Sequence, residues 1–272
     1  MLTTLQKKIC FVLRNNRDEK SCIAGGSILN FDTEKLSMDI DIFNSEKIIC
    51  EQSFENDIQT LKNNGFKVQI DAIPSKNGIG DATIFSGTES TKIQWVVESA
   101  WRFFPAEYSD SVGYHLNFND LIINKLICLA DRKQPRDFAD ICLVMDKGID
   151  LSGYFFGVAG KDPGYSIEFF FDIIRKNIIY RKEDFNIVTE NEIPKNYTEN
   201  LQKFRLAMQR TKESMEYIPR SLQQVLFLNE NQKVFIPTKQ EFEQNRFIVH
   251  TGQLFGSIPQ FVDEQEPQAL KM

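Results

Sequence analysis

Hydrophobic and polar residues alternate strictly over residues 38–43 (MDIDIF), the clearest structural signal in the chain. Ile40 and Ile42 share one side of an extended backbone. Asp39 and Asp41 share the other side, because successive side chains of a β-strand point to opposite faces. The pattern therefore predicts a strand with an apolar face and a second face that carries two carboxylates, one pleat apart.

The rest of the first 115 residues changes repeatedly between helical and strand periods. Apolar residues at helical spacing predict helices over residues 4–14 and 54–64. The predicted strands are residues 67–73, 82–85 and 91–97, with a loop over 74–80. Strands alternating with helices indicate a mixed sheet covered by helices, which is an α/β (α+β) fold.

The second half of the chain is mainly helical in pattern. A helix begins near residue 119 with Asn117 or Asn119 as its cap, and a second begins at Pro135, since proline is tolerated in the first turn. Further helices are predicted over 165–180 and 198–217, a glycine-rich loop over 148–164, and short strands over 233–237 and 246–250. We therefore divide the chain into an α/β core, residues 1–115, and a mainly helical C-terminal domain, residues 116–272.

Composition narrows the class of protein. The chain has 272 residues, 42% of them hydrophobic, which is enough to bury a sizeable core, and it has no apolar run of the ~20 residues that span a membrane. Its five cysteines form no C-x-x-C pair and lie mostly among apolar neighbours, as reduced thiols of a cytoplasmic protein do. A net charge of −6 gives no overall attraction to nucleic acid.

The carboxylate strand and a glycine turn before it indicate a chemistry. Asp39 and Asp41 on one strand face repel each other unless a cation lies between them, and Mg²⁺ takes such oxygen ligands together with substrate phosphates. Gly25 and Gly26 allow backbone N–H groups to approach a phosphate, and Ser27 adds a hydroxyl, most simply at a helix start. The alternatives are a solvated strand face and an ordinary turn.

Two motifs in this order resemble a known family. Gly25-Gly26-Ser27 followed by Ser37-x-Asp39-x-Asp41 resembles the DNA polymerase β-like nucleotidyltransferase superfamily. Residues 120–140, DLIINKLICLADRKQPRDFAD, are similar to the K-x-x-A/C-L…R…P-R-D-x-x-D signature of AbiEii/MenT-type nucleotidyltransferases, many of which are toxins of toxin–antitoxin pairs. The resemblance covers about residues 20–145.

The resemblance implies a polymerase β-like nucleotidyltransferase core and a Mg²⁺-dependent enzyme. Such an enzyme transfers a nucleotide from a nucleoside triphosphate (NTP) to an acceptor, and toxin-type relatives imply the tRNA 3′ end as acceptor and a cognate antitoxin as partner. The implied site residues are Asp39, Asp41, Lys125 and Asp140 for catalysis, Asp39 and Asp41 for metal, and Gly25, Gly26, Ser27, Ser37 and Lys125 for the nucleotide. Ser37 is also implied as a phosphorylation site where the antitoxin is a kinase.

Several of these residues have a second interpretation. Lys125 lies in an apolar helical stripe, so it either snorkels to water or binds an anion such as a triphosphate. Asp140 can form an exposed pair with Arg136 four residues away, and Ser37 can simply end a turn. Arg132 and Arg136 can contact phosphate or stabilise the neighbouring acids.

The third carboxylate of the superfamily is missing from its expected place. The central-looking strand 91–97 carries Gln94 there, and Asp71 lies on a strand that looks peripheral, so we predict that Asp71 is not catalytic. A basic set interleaved with aromatic residues suits either an RNA acceptor or a solvated helix face: Arg175, Lys176, Arg181, Lys182, Lys203, Arg205, Arg210 and Lys212. Transfer to a small molecule or protein, and nucleotide or partner binding without catalysis, remain alternative functions.

Overall fold

A mixed β-sheet with helices on both faces forms the first half of the chain. The computed structural model describes residues 2–29, 31, 37–75, 77–178, 180, 182–185 and 196–260. The strands are β1 (Ser21–Ala24), β2 (Asp39–Asn44), β3 (Lys67–Ala72), β4 (Ile79–Ser86), β5 (Glu89–Val97), β6 (Trp101–Arg102), β7 (Glu107–Ser109), β8 (Gly113–His115), β9 (Leu226–Leu228), β10 (Val234–Phe235), β11 (Ile248–His250) and β12 (Gln253–Leu254). The helices are α1 (Thr4–Leu13), α2 (Gly25–Leu29), α3 (Lys47–Asn63), α4 (Phe118–Arg132), α5 (Pro135–Asp146), α6 (Tyr154–Lys161), α7 (Ile167–Asn177), α8 (Tyr197–Ser214) and α9 (Lys239–Glu243).

The large sheet has seven strands in the order β3-β4-β5-β2-β1-β8-β7. Strand β2 lies at its centre, parallel to β5 and antiparallel to β1. The predicted α/β fold class is confirmed, with the central strand supplied by the MDIDIF pattern. The structure adds β1, β7 and β8 to the prediction, begins β4 at Ile79 within the predicted loop, and begins α3 earlier, at Lys47.

The two faces of β2 have different environments, as its alternating pattern predicts. Ile40 and Ile42 are fully buried in a core that includes Ile9 of α1 and Phe54 of α3. The opposite sheet face joins a second core, which contains Ala24 of β1 together with residues of α4 to α8. The carboxylates of β2 therefore lie on the side of the sheet that faces the C-terminal helices.

A buried ion pair holds α3 against the strand next to β2. Arg17 and Asp57 are fully buried, with Arg17 Nη2 2.5 Å from Asp57 Oδ1. Trp95 of β5 donates from Nε1 to Asp57 Oδ2 at 2.8 Å. Because a buried charge is costly unless it is paired and hydrogen-bonded, this network fixes the position of β5 beneath the carboxylate face.

Glycines in the C-terminal half serve close packing, contrary to the predicted loop over residues 148–164. That segment contains a 3₁₀ turn, Leu151–Gly153, and the buried helix α6. A Cβ on Gly157 would lie 2.7 Å from Ile123 Cδ1, and one on Gly160 would lie 2.2 Å from the Gln224 carbonyl oxygen. The glycines are needed because neighbouring elements approach the helix too closely for a side chain.

The other C-terminal elements agree with the predicted pattern in type. Asn117 caps α4 through a 2.9 Å hydrogen bond from the Asn119 N–H, and Pro135 opens α5. The predicted short strands are β10 and β11, which flank β9 in a small sheet, and β12 pairs with β6. No described helix is long and apolar enough to cross a membrane.

Candidate active site

Asp39 and Asp41 lie half-buried on the same face of β2. Asp41 is paired in register with Ala24 on β1 and with Gln94 on β5. Ile93 is buried in the core on the opposite face, so Gln94 shares the face of the two carboxylates. The centre of the sheet therefore presents two acids and an amide on the face that is turned towards the C-terminal helices.

The electrostatic environment of Asp41 is that of an acid pair held close together. Burial, and then the neighbouring charge of Asp39, raise the pKa of Asp41 from 3.8 to about 7. Lys125, Arg132 and Arg136 oppose this rise through their positive charges, which places all three near the acid pair. A cation between the acids would remove the repulsion, and the basic residues opposite suit an anionic ligand.

Gly25 at the start of α2 is in contact with Asp41. Its φ of +68° is a backbone conformation that favours glycine, and a Cβ at this position would lie 1.8 Å from Asp41 Oδ2. The helix start predicted for the glycine turn is confirmed. Glycine is therefore required here both by the backbone and by the close approach of a carboxylate.

We expect Gly25→Ala to disrupt the acid pair. The left-handed backbone alone costs a non-glycine residue about 1–2 kcal/mol, and the added methyl would push Asp41 away from its place. Gly65→Ala is the matched control, because Gly65 has a φ of +82° and no neighbour within 4 Å of an added Cβ. Thermal unfolding and Mn²⁺ binding measured on both variants should show destabilisation of both, no smaller for Gly25→Ala, and loss of metal binding only for Gly25→Ala. Equal metal binding by the two variants would contradict this expectation.

Two serine hydroxyls form hydrogen bonds with the backbone near the acid pair. Ser27 is fully buried and donates from Oγ to the Ala24 carbonyl oxygen at 2.8 Å. Ser37 donates from Oγ to the Asp39 carbonyl oxygen at 2.8 Å, and its own carbonyl accepts from Gln6 Nε2. Both hydroxyls thus fix the ends of β1 and β2 in the structure.

Lys125 has two carboxylate partners within the protein. Its Nζ lies 3.0 Å from Asp137 Oδ1 and 2.8 Å from Asp140 Oδ2. The lysine side chain is 14% exposed, and those of Asp137 and Asp140 are 1% and 5% exposed. Burial alone would lower the pKa of Lys125, but Asp140 and then Asp137 raise it above its ordinary value. The interpretation of Asp140 as an exposed residue is therefore wrong, because its carboxylate is buried against Lys125.

The acid pair fits a Mg²⁺ ion that brings other ligands with it. No group of three or more His, Cys, Asp or Glu residues in the described part of the chain is arranged to hold a metal. Two carboxylates on one strand face leave most of an octahedral shell to phosphate and water oxygens, which is how Mg²⁺ is often bound. The donor set thus fits a magnesium ion bound together with a triphosphate.

The structure separates Asp71 from the acid pair and places another acid, Asp81, on the carboxylate face. Asp71 is exposed on the edge strand β3, where hydrogen bonds from Thr83 and Gln69 lower its pKa. Asp81 on β4 instead lies in register with Gln94, which donates from Nε2 to Asp81 Oδ1 at 2.9 Å. The sequence pattern does not indicate this position of Asp81, because it predicts a loop over residues 74–80 and a strand only from residue 82, whereas β4 begins at Ile79.

Three of the six basic residues of the set whose side chains the structure describes form ion pairs on the surface. Arg175 pairs with Asp172, Lys203 with Glu199, and Arg210 with Asp150, all between exposed side chains. Arg181 and the side chain of Lys182 lie outside the described residues. Exposed i,i+3 and i,i+4 pairs are typical of a solvated helix face, so this set identifies no RNA surface.

The fold and the site together define a mixed α/β protein with an acid pair, a glycine turn and a facing basic helix. Among solved structures, a likeness of fold is found with MenT4, a nucleotidyltransferase toxin from Mycobacterium tuberculosis H37Rv. It covers 80% of this chain and 83% of that chain, at 11% identity and a TM-score of 0.48, so it concerns the fold alone. No family model and no curated protein match the sequence.

Proposed function

We propose that this chain is a Mg²⁺-dependent nucleotidyltransferase, which transfers a nucleotide from an NTP to an acceptor. The observation that carries the proposal is the acid pair Asp39 and Asp41, held on the central strand opposite the positive charges of Lys125, Arg132 and Arg136. In this proposal residues 1–115 are the catalytic core, and residues 116–272 form a helical C-terminal domain that contributes the basic residues near the acid pair.

Asp39 and Asp41 are the metal ligands in this scheme. Bound Mg²⁺ would neutralise charge on the leaving pyrophosphate. Gly25, Gly26 and Ser27 receive the triphosphate through backbone N–H groups, because the Ser27 hydroxyl is used by the Ala24 carbonyl. Gly25 also allows the phosphate-binding turn to lie directly against Asp41.

Lys125 binds the triphosphate from the helix side. Its ammonium has three donors, of which two face Asp137 and Asp140, so one is left for a phosphate oxygen. Asp140 acts through Lys125 by holding the ammonium in place. Arg132 and Arg136 add positive charge beside the same phosphates.

The acceptor and biological role rest on the motif resemblance. By that resemblance the acceptor is RNA, most directly the tRNA 3′ end, and the protein is the toxin of a toxin–antitoxin pair with a cognate antitoxin. Ser37 would be the residue that a kinase antitoxin modifies. We place the protein in the cytoplasm, since all five of its cysteines are free thiols and four are buried.

A second candidate function is binding of a nucleotide or partner without catalysis. The observation that favours it is the amide of Gln94 beside Asp41, where an acid would complete a carboxylate triad. A glutamine amide cannot accept a proton from the acceptor hydroxyl at neutral pH. Transfer to a small molecule or to a protein side chain is a third candidate with the same metal site.

Incubation with Mg²⁺ and each α-labelled NTP distinguishes these functions. The reactions contain total tRNA, a small-molecule extract, or the protein alone, with Asp39→Asn as the control. We expect label in RNA that depends on Asp39. Label in a small molecule or in protein would change the acceptor, and binding of NTP without any transfer would support the non-catalytic candidate.

Asp71→Asn should retain most of the transfer rate. Asp71 lies exposed on the edge strand, and its carboxylate is occupied by hydrogen bonds from Thr83 and Gln69. We expect the initial rate to stay within about threefold of wild type, since surface substitutions away from a site have small effects. A loss as large as that of Asp39→Asn would place Asp71 in a carboxylate triad and refute the two-acid site.

A further inference from the structure

A row of three polar side chains crosses the sheet at the level of Asp41. Asp41 on β2 is in register with Gln94 on β5, and Gln94 is in register with Asp81 on β4. Ile93 and Ala82 are fully buried in the core on the other face, which fixes the polar row on the carboxylate face. Gln94 therefore stands between two aspartates, one on each side.

Asp81 determines how the Gln94 amide is turned. A carboxylate accepts hydrogen bonds and does not donate them, so the amide must offer its NH₂ group to Asp81, as it does at 2.9 Å. The oxygen and nitrogen of an amide point in directions about 120° apart. Gln94 Oε1 is therefore turned away from Asp81, and the strand on the other side of Gln94 is β2 with Asp41 in register.

We propose that Gln94 Oε1 is a third, uncharged oxygen ligand for the cation of the acid pair, and that Asp81 is the positioning residue that keeps this oxygen facing the cation. Amide oxygen is a suitable ligand for Mg²⁺ and Mn²⁺. The inference rests on the proposed function, because it takes Asp39 and Asp41 as metal ligands.

Asp81 acts through Gln94 and does not join the acid pair directly. Within the described residues, no three acids are close enough together to hold one metal, so Asp81 is not a third carboxylate ligand. Partners that orient a metal ligand in this way are known to affect affinity strongly, although they do not touch the ion. The acid pair and Gln94 thus supply three oxygen ligands with two negative charges, which suits one cation bound together with phosphates.

Asp81→Asn tests the positioning role. The asparagine amide can donate as well as accept, so Gln94 is free to turn its oxygen away from the cation. Mn²⁺ binding, measured by loss of the free-ion paramagnetic resonance signal with a non-hydrolysable NTP analogue, should weaken roughly tenfold. The melting temperature without metal should stay close to that of wild type, and Asp71→Asn serves as the control with unchanged Mn²⁺ affinity.

The double variant Asp81→Asn/Gln94→Glu separates positioning from damage to the fold. Glutamate has two equivalent oxygens and accepts a hydrogen bond from asparagine, so it presents an oxygen to the cation in either orientation. We expect Mn²⁺ affinity to return to the wild-type level or above it. Wild-type Mn²⁺ affinity in Asp81→Asn, or no recovery in the double variant, would overturn the inference about Gln94 and Asp81 but would leave the proposed metal site intact. Unchanged Mn²⁺ affinity in Asp41→Asn would overturn the proposed metal site and the inference with it.

Discussion

Asp41→Asn should abolish nucleotide transfer while making the metal-free protein more stable. Burial and the charge of Asp39 both oppose the ionisation of Asp41 and raise its pKa. The asparagine amide has nearly the same shape as the carboxylate but no charge. The substitution therefore relieves the repulsion from Asp39 and at the same time weakens metal binding. The expected loss of rate is at least about a thousandfold, since metal and phosphate positioning supply most of the catalysis in phosphoryl transfer.

The pH dependence of stability gives this prediction a second measurement. The pKa of Asp41 is raised from 3.8 to about 7 in the folded chain, so the folded state holds a proton that the unfolded state releases between these values. The free energy of unfolding therefore falls as pH rises through this window, and the loss is complete above the folded pKa. Asp41→Asn lacks this loss.

Melting curves measured in EDTA at pH 4, 6 and 8 test whether stability falls, as expected, when the pH rises. The gain in melting temperature of Asp41→Asn over wild type should be absent at pH 4 and greatest at pH 8. Asp71→Asn is the matched control, because its carboxylate is exposed on the edge strand. Full transfer activity in Asp41→Asn would show that Asp41 is not a metal ligand. A gain in stability that is largest at pH 4 would show that its charge is not repelled by Asp39 in the folded protein.

The features that the sequence predicted well are those that depend on neighbours along the chain. The faces of β2 follow from a period of two, so Ile40 and Asp41 could be assigned to opposite sides without any tertiary information. The cap at Asn117 and the start of α5 at Pro135 follow from unsatisfied N–H groups at a helix start. Each depends on only a few consecutive residues.

The features that the sequence missed depend on partners distant in the chain. On α5 the acids Asp137 and Asp140 fall opposite the apolar stripe, which usually indicates solvent, yet both are buried because Lys125 of α4 neutralises them. The glycine-rich composition around Gly157 predicts a loop, because the close approach of Ile123, which requires the glycine, cannot be inferred from the residues next to it in the chain. The pairing of Asp81 with Gln94 likewise required the register of the β4–β5 hairpin.

The buried cluster of Lys125 changes what its substitution should do. From the helical pattern alone, methionine would be a mild replacement, since it fits an apolar stripe. In the structure the ammonium lies within 3.0 Å of one carboxylate and 2.8 Å of another, and both acids are almost fully buried. Removing the lysine leaves two negative charges near each other, away from water, without the cation that they share.

We therefore expect Lys125→Met to lower the free energy of unfolding by roughly 3–5 kcal/mol, which is the cost of removing one partner of a buried ion pair. We also expect it to weaken NTP binding. Denaturant unfolding gives the first quantity, and Lys62→Met is the control, because Lys62 is exposed in the last turn of α3. Adding Asp140→Asn to Lys125→Met should recover part of the lost stability, since it removes one of the two charges, but should not recover NTP binding. If Lys125→Met unfolds like wild type, the ion pairs do not stabilise the protein. If its NTP affinity is also unchanged, Lys125 has no role in the site.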